Sequence, residues 1–240
     1  MQQIYTDILK AKASGQKLLA ILLDPDKLKV DLVEELVAKI ISSPATHIFV
    51  GGSIVENHKT ELLVSEVKKY TTLPILLFPG DTNQITNAAN GLLFLSLLSG
   101  RNPEFLIEQQ IKAVPLLRNS SLEIIPTGYI LINGGVKTAV QKVSKTIPIE
   151  QSNSLLIVNT ALAGQYSGKQ LIYLEAGSGA KTPVNNTLIS SVANAITIPL
   201  IVGGGIRNKS QIKDAYDSGA DMVVIGTAFE ENHGFLKNIH

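Results

Sequence analysis

Residues 199–227 read PLIVGGGIRNKSQIKDAYDSGADMVVIGT, a stretch that contains a complete strand, helix, strand unit. Pro199 to Val202 is a short apolar run suited to a buried strand, and it closes in Gly203-Gly204-Gly205-Ile206-Arg207. Ser210 to Ser218 is predicted as a short helix that Gly219 ends, since glycine accepts the left-handed turn that stops a helix. Met222 to Ile225 is a second apolar run and closes in Gly226-Thr227. Strands joined through a helix in this way belong to a parallel sheet, where a hairpin cannot make the connection.

Working outward, the same alternation recurs along the chain. Strands are predicted at Leu18 to Leu23, Thr46 to Val50, Pro74 to Phe78, Leu92 to Leu97, Glu123 to Leu131 and Leu171 to Leu174. Helices are predicted over Val30 to Ile41, Glu56 to Tyr70, Asn102 to about Leu117 and Gln151 to Tyr166. Pro103 fits the first turn of the third of these, and Pro115 marks or bends its end. Between Pro79-Gly80 and Leu92 the residues are Asp, Thr, Asn, Gln and Ala, which leaves little room for an amphipathic helix. One helix is therefore expected to be shortened or missing after strand three. Eight strands in this alternation predict an α/β fold, a single (β/α)8 TIM barrel over residues 1–240, with an open doubly wound sheet as the alternative.

Composition narrows the function. Lys and Arg total 21 against 20 for Asp and Glu, so the cationic field that nucleic-acid binding needs is absent. Charged residues make up 17%, below the roughly 25% of ordinary soluble domains, which points to a large interior or an apolar binding surface. With no Cys there is no thiolate metal site and no cysteine nucleophile. None of His47, His58, His233 and His240 stands at zinc spacing, so all four read as structural or solvent-facing. The polar, helix-like start MQQIYTDILKAKASGQK lacks the plan of a secretory signal, and the longest apolar runs fall short of the roughly 18 residues of a membrane span. A cytoplasmic location is expected, with no membrane anchor.

In a barrel the chemistry sits where strands end, so the Gly-rich and polar ends should share one mouth. Gly203-Gly204-Gly205 and Gly226-Thr227 fit the barrel phosphate site after strands seven and eight, although each pair alone could be a tight turn. Asp24-Pro25-Asp26-Lys27 offers two carboxylates and an amine, suited to magnesium beside a diphosphate. The competing reading is a capped turn with Asp26 starting the next helix. Gly51-Gly52-Ser53 either adds a hydroxyl to such an ion or is a turn with Ser as a cap. Tyr173 and Glu175 share one side of a strand by its period of two. If that side is the lumen, Glu175 could accept a proton from a substrate hydroxyl; otherwise it is a structural acid holding its loop. The chain has no nucleophile elbow, Walker loop or dinucleotide fingerprint.

LLDPDK at 22–27, GGS at 51–53, LFPG at 77–80, SGRNPEFLI at 99–107, YILINGG at 129–135, YLEAGSGA at 173–180, VGGGIR at 202–207 and VVIGTAFE at 223–230 together carry a resemblance. In order and over essentially the whole chain, they resemble the geranylgeranylglyceryl phosphate synthase family, which includes the bacterial heptaprenylglyceryl phosphate synthases. The resemblance implies a prenyltransferase that joins sn-glycerol 1-phosphate to a long prenyl diphosphate as an ether, the first ether step of archaeal-type lipids. It implies Mg2+ held at Asp24 and Ser53, where Thr is also common. It places glycerol 1-phosphate against Tyr173, Leu174, Glu175, Ala176, Gly177, Ser178 and Gly179, with the phosphate on Gly204, Gly205, Gly226 and Thr227. Glu175, with Tyr173 beside it, is the implied catalytic pair; Lys27 for the diphosphate and Arg101 as a ligand are weaker carry-overs. Geranylgeranyl is the implied chain and heptaprenyl the alternative. The resemblance further implies a homo-oligomer, a dimer or a hexamer, and a lipid product admits peripheral membrane contact.

From the residues themselves two further readings stay open. One is another phosphate-barrel enzyme, an isomerase, lyase or flavin mononucleotide enzyme; the other is a phospholigand-binding protein without catalysis.

Overall fold

The computed structural model describes residues 3–231, and in it eight parallel strands close into one barrel in sequence order. The strands are β1 (Leu18–Leu23), β2 (His47–Val50), β3 (Ile75–Leu77), β4 (Gly91–Leu97), β5 (Glu123–Leu131), β6 (Leu171–Glu175), β7 (Leu200–Gly203) and β8 (Met222–Ile225). β8 closes on β1 through the register Leu18↔Met222 to Ile21↔Ile225. The doubly wound alternative is excluded by that closure.

Period two sorts each strand into two layers. Leu18, Ala20, Phe49, Leu76, Leu93, Tyr129, Tyr173, Ile201 and Val224 fill the barrel interior. Their neighbours Leu19, Ile21, Ile48, Ile75, Leu92, Ile130, Leu174, Val202 and Val223 point outward into the layer beneath the helices. Strands buried on both faces need near-continuous apolar runs, which is why they stand out in the sequence.

The helices are α1 (Gln3–Ser14), α2 (Val33–Ile41), α3 (Lys59–Val67), α4 (Gln109–Leu117), α5 (Ala139–Ser144), α6 (Ser154–Tyr166), α7 (Asn186–Ala195), α8 (Lys209–Asp217) and α9 (Thr227–Glu231). α3 is shorter than the predicted Glu56 to Tyr70: His58 sits at φ 68, outside the helical region, while Lys59 reaches back to Asp26 at 3.1 Å and Glu56 at 3.0 Å. Asp26 consequently does not start α2, a correction to the turn-and-cap reading. α6 begins at Ser154, because the Asn153 side chain accepts from the Leu156 N–H and caps the helix there. α5 and α7 were not predicted, although Asn185 caps α7 and Leu188, Ile189 and Val192 supply its inward face. Pro115 lies inside α4, whose approach is a wide π-type turn over Glu104–Glu108.

Two departures from the regular barrel position the site. α1 plugs the amino-terminal end: Ile8 and Ala11 join the interior layer with Leu18, Leu76, Leu171 and Met222. After β3 the chain makes only a 3-10 turn, Thr82–Gln84, where a full helix would stand, so no α-helix connects β3 to β4. This is the shortened helix expected from the sequence.

Candidate active site

At the carboxyl ends of the strands lies a cavity of about 500 Å³ with Asp24, Ser53, Tyr173, Glu175, Gly204 and Gly226 among its lining residues. It extends between β4 and α4 along an apolar wall of Ile85, Leu92, Phe94, Phe105 and Ala113, through the gap that the missing helix leaves.

The β6 wall carries the acid. Tyr173 and Glu175 both face the lumen, as the period of two required, and both are buried. Burial pushes the Glu175 carboxyl up to about 7, against the opposing pull of the Tyr173 hydroxyl and the Gly177 N–H, which donates to Oε1 at 2.6 Å. The Tyr173 hydroxyl is held well above its ordinary value by the same burial, and its oxygen makes no hydrogen bond of good geometry. Tyr173 is thus kept neutral, Glu175 changes charge near neutral pH, and neither is saturated with partners. Phe78 stacks on Tyr173 with centroids 5.3 Å apart, and Tyr129 meets it edge-on at 5.4 Å.

Beside the acid the glycines after β7 are sterically required. A Cβ on Gly204 would lie 2.3 Å from Glu175 Oε1 and 2.5 Å from the Gly177 nitrogen, and Gly204 holds φ at +82°. A Cβ on Gly203 would lie 2.5 Å from the Tyr173 oxygen. The strand-seven loop therefore lies against the acid, and its backbone stays open to a ligand. Ser178 and Thr227 bridge the β6 and β8 walls through their hydroxyls at 3.1 Å. Gly179, Gly204, Gly205, Gly226 and Thr227 all border the cavity. Leu174 and Ala176 do not: their side chains pack in the outer layer. Gly177 also stands back from the cavity, where a Cβ would collide with Thr138 at 2.1 Å.

Across the mouth, Asp24 Oδ1 accepts the Asp26 N–H at 3.1 Å and Oδ2 faces the Lys27 ammonium at 3.4 Å. The turn of that reading is present, capped by Asp24 and without Asp26 as a helix start, and the Asp24 carboxylate borders the cavity together with Ser53 and Lys27. Asp26 is turned away to Lys59 and to the Glu56 N–H. Among the described residues no group of three acidic, His or Cys side chains forms a metal cage. One carboxylate, one hydroxyl and open backbone suit Mg2+, which keeps its waters and takes its other ligands from substrate phosphates. Arg101 is exposed and outside the cavity lining, donating to the carbonyls of Leu98 and Gly100 at 3.3 and 2.7 Å. His47 is buried at the start of β2 and His58 precedes α3, both away from the cavity; His233 and His240 lie outside the described residues.

Several cavity residues were not singled out from the sequence. Tyr129 shares strand parity with Leu131 and lies opposite Tyr173 in the β5–β6 register, a signal that was available. Phe78 and Phe105 were quoted only as parts of motifs.

A parallel barrel with glycine-built strand ends after β7 and β8, a buried acid beside them and a carboxylate across the mouth defines a phosphate-binding (β/α)8 barrel with an acid–base site. Comparison with known proteins narrows that class. The profile of the PcrB family matches residues 7–240, and the chain belongs to this family. It is 56% identical over 98% of its length to the geranylgeranylglyceryl phosphate synthase of Flavobacterium johnsoniae, covering 97% of that protein. It is 39% identical to the geranylgeranylglyceryl phosphate synthase of Thermococcus kodakarensis, over 92% of this chain and 87% of that one. Among solved structures it matches the (S)-3-O-geranylgeranylglyceryl phosphate synthase of Thermoplasma acidophilum, crystallised with its substrate sn-glycerol-1-phosphate. That match has a TM-score of 0.93 and 30% identity, and covers 99% of this chain and 96% of the other.

Proposed function

We propose that this chain is a prenyltransferase that joins sn-glycerol 1-phosphate to geranylgeranyl diphosphate as an ether. The observation that carries the reading is the placement of a buried Glu175 with its pKa raised to about 7 against the Gly203-Gly204 strand end, in a cavity that continues into an apolar groove. The glycine loops hold the glycerol phosphate through backbone N–H groups, which brings its C3 hydroxyl to Glu175. Glu175 takes the hydroxyl proton as the oxygen bonds to the allylic carbon; the carbon–oxygen bond to the diphosphate breaks, and the diphosphate leaves with the electron pair. Magnesium at Asp24 and Ser53, when bound, supplies charge stabilisation to that leaving group. The stacked Phe78, Tyr129 and Tyr173 rings bound a dry site, and their faces favour positive charge developing on the allylic fragment. The groove lined by Ile85, Leu92, Phe94 and Ala113 takes the prenyl tail.

The same reading includes a cytoplasmic enzyme that meets its lipid substrate and product by peripheral contact with a membrane surface. No helix among the described residues is long and apolar enough to cross a membrane. It also includes a homo-oligomer, for which Ile107, Ile111, Val114 and Leu116 at and around α4 supply exposed apolar surface.

The test is an incubation of purified protein with magnesium, labelled sn-glycerol 1-phosphate and prenyl diphosphates of increasing length, with Glu175→Ala and Asp24→Ala alongside. Lipid-extractable ether from the wild type, lost in both variants, is the expected result, and the best chain reports the depth of the groove. Folded wild-type protein that makes no ether with any chain would overturn the reading.

A further inference from the structure

The 3-10 turn that stands in for the missing helix ends in two amides, Asn83 and Gln84, and both reach the β2 loop. Asn83 Nδ2 donates to the Val55 carbonyl at 2.9 Å and to Asn57 Oδ1 at 3.1 Å. Gln84, 1% exposed, pairs with Gly52 as a neighbouring strand would: its Oε1 accepts the Gly52 N–H at 3.1 Å and its Nε2 donates to the Gly52 carbonyl at 2.8 Å. The Gly80 N–H reaches the same carbonyl at 3.1 Å. Gly52 lies over the Asp24 carboxylate, where a Cβ would come within 3.3 Å of Oδ1. Gln84 does not border the cavity, so any effect it has on a ligand passes through this turn.

We propose that Gln84 is a positioning residue for the diphosphate side of the reaction: its amide, hooked onto both backbone groups of Gly52, sets the turn that carries Ser53 against Asp24. The proposal rests on the prenyltransferase reading and adds to it the residue that fixes one wall of the site. It also gives the shortened helix a task. The short turn brings two consecutive side-chain amides, Asn83 and Gln84, onto the loop after β2.

A residue that merely holds the fold together would weaken both substrates alike. A positioning residue for one wall weakens one of them, and Gln84→Leu separates the cases by removing both hydrogen bonds at nearly constant volume. Gln84→Asn, which keeps the neutral amide but draws it back by one methylene so that it no longer spans both Gly52 groups, is the second variant. Calorimetric titration with magnesium and inorganic diphosphate should show binding weakened about 10- to 100-fold in Gln84→Leu and less in Gln84→Asn, the range seen when partners of metal-site groups are removed. Titration with sn-glycerol 1-phosphate should be unchanged. In turnover, KM for prenyl diphosphate should rise while KM for glycerol phosphate holds.

Thermal melts establish that each variant is folded, and Gln84→Asn carries the test if Gln84→Leu does not fold. Equal weakening of both ligands, or of neither, overturns the positioning role. So does a wild type that binds no magnesium diphosphate, since the wall would then have no ligand. A wild type that makes ether while Gln84→Leu shows no split leaves the prenyltransferase reading intact and removes Gln84 from it; a wild type that makes no ether removes the reading itself.

Discussion

The two ends of this barrel bury polar groups in opposite ways. At the amino-terminal end the ionisable groups are answered within the protein, although the buried Oε1 of Gln170, just before β6, has no partner. Glu123 accepts the N–H groups of Ile4 and Tyr5, both at 2.7 Å; Asp221 accepts from Lys12 at 2.8 Å and from the Leu200 N–H at 2.9 Å; and His47 Nδ1 meets the Thr46 hydroxyl at 2.8 Å. At the carboxyl end, Glu175 has the Gly177 N–H and the nearby Tyr173 hydroxyl, and Tyr173 itself is unsaturated. Buried polar groups in a native structure are normally paired, and an unpaired one needs an explanation. For Tyr173 and Glu175 the proposed function supplies one: substrate completes the mouth, whereas the acids of the floor are already paired within the protein.

The largest effect should come from the mouth. Replacing Glu175 by Gln keeps the volume and removes the base, and should lower kcat by about 10²- to 10⁴-fold, the usual worth of a positioned proton acceptor. Protein stability should move the other way above neutral pH, where the wild type holds an ionised carboxylate in a buried site. A steady-state assay beside a denaturant melt at pH 8 reads both. Loss of activity together with loss of stability would mean that Glu175 belongs to the framework, and the contrast between the ends would fail. In the wild type, kcat/KM should rise with pH through an apparent value of about 7, because the base works only when ionised.

A second test sets the two ends against each other through their titrations. His47 is pushed down to about 4 by burial, with Asp7 opposing, whereas Glu175 is pushed up to about 7. For His47 the unfolded chain takes up a proton near 6.5 that the folded one refuses until about 4, so its stability is present above 6.5 and lost on acidification toward 4. For Glu175 the folded state keeps its proton up to about 7, so its stability is present below 4.5 and lost as pH rises through 7. Each is worth on the order of 3 kcal/mol at full extent, and between the two they nearly cancel. In Glu175→Gln the histidine should stand alone, and unfolding free energy should fall between pH 6.5 and 4. In His47→Leu the glutamate should stand alone, and unfolding free energy should fall as pH rises from 4.5 to 7. Identical pH profiles for wild type and both variants would show that neither burial shift is present.

How much of this was legible in the sequence follows from the same contrast. The strands could be read because both faces of each are buried, which leaves runs such as Leu18 to Leu23 without polar interruption. The strand-end motifs could be read because close approach admits only glycine at Gly203 and Gly204. α7 was missed because polar Asn, Thr and Ser residues surround the spacing of Leu188, Ile189 and Val192. Gln84 was missed for a different reason. Its two partners are the N–H and carbonyl of Gly52, groups that every non-proline residue carries, so no residue type or spacing marks the contact. Beyond Glu175 the sorting of the β6 loop was likewise invisible: period two paired Tyr173 with Glu175, but that Ser178 and Gly179 turn to the cavity and Ala176 and Gly177 away depends on where the strand stops.

The smallest effect should come from the floor. The carboxylate of Glu123 takes two of the N–H groups that the start of α1 leaves without helical partners, so a residue far along the chain caps this helix. Removing it in Glu123→Ala leaves those donors to water and loosens the plug that Ile8 and Ala11 seat in the barrel. Loss of a charged cap of this kind costs about 1–2 kcal/mol, which for a chain of this size lowers Tm by roughly 2–8 °C. Turnover should be unchanged, because Glu123 starts β5 and the acid pair sits at the far end of β6, beside Leu131. A variant that melts lower with intact kcat and KM would sharpen the division of labour between the ends. A drop in kcat at unchanged stability would break it, since the floor would then be setting the geometry of the mouth through the strands that join them.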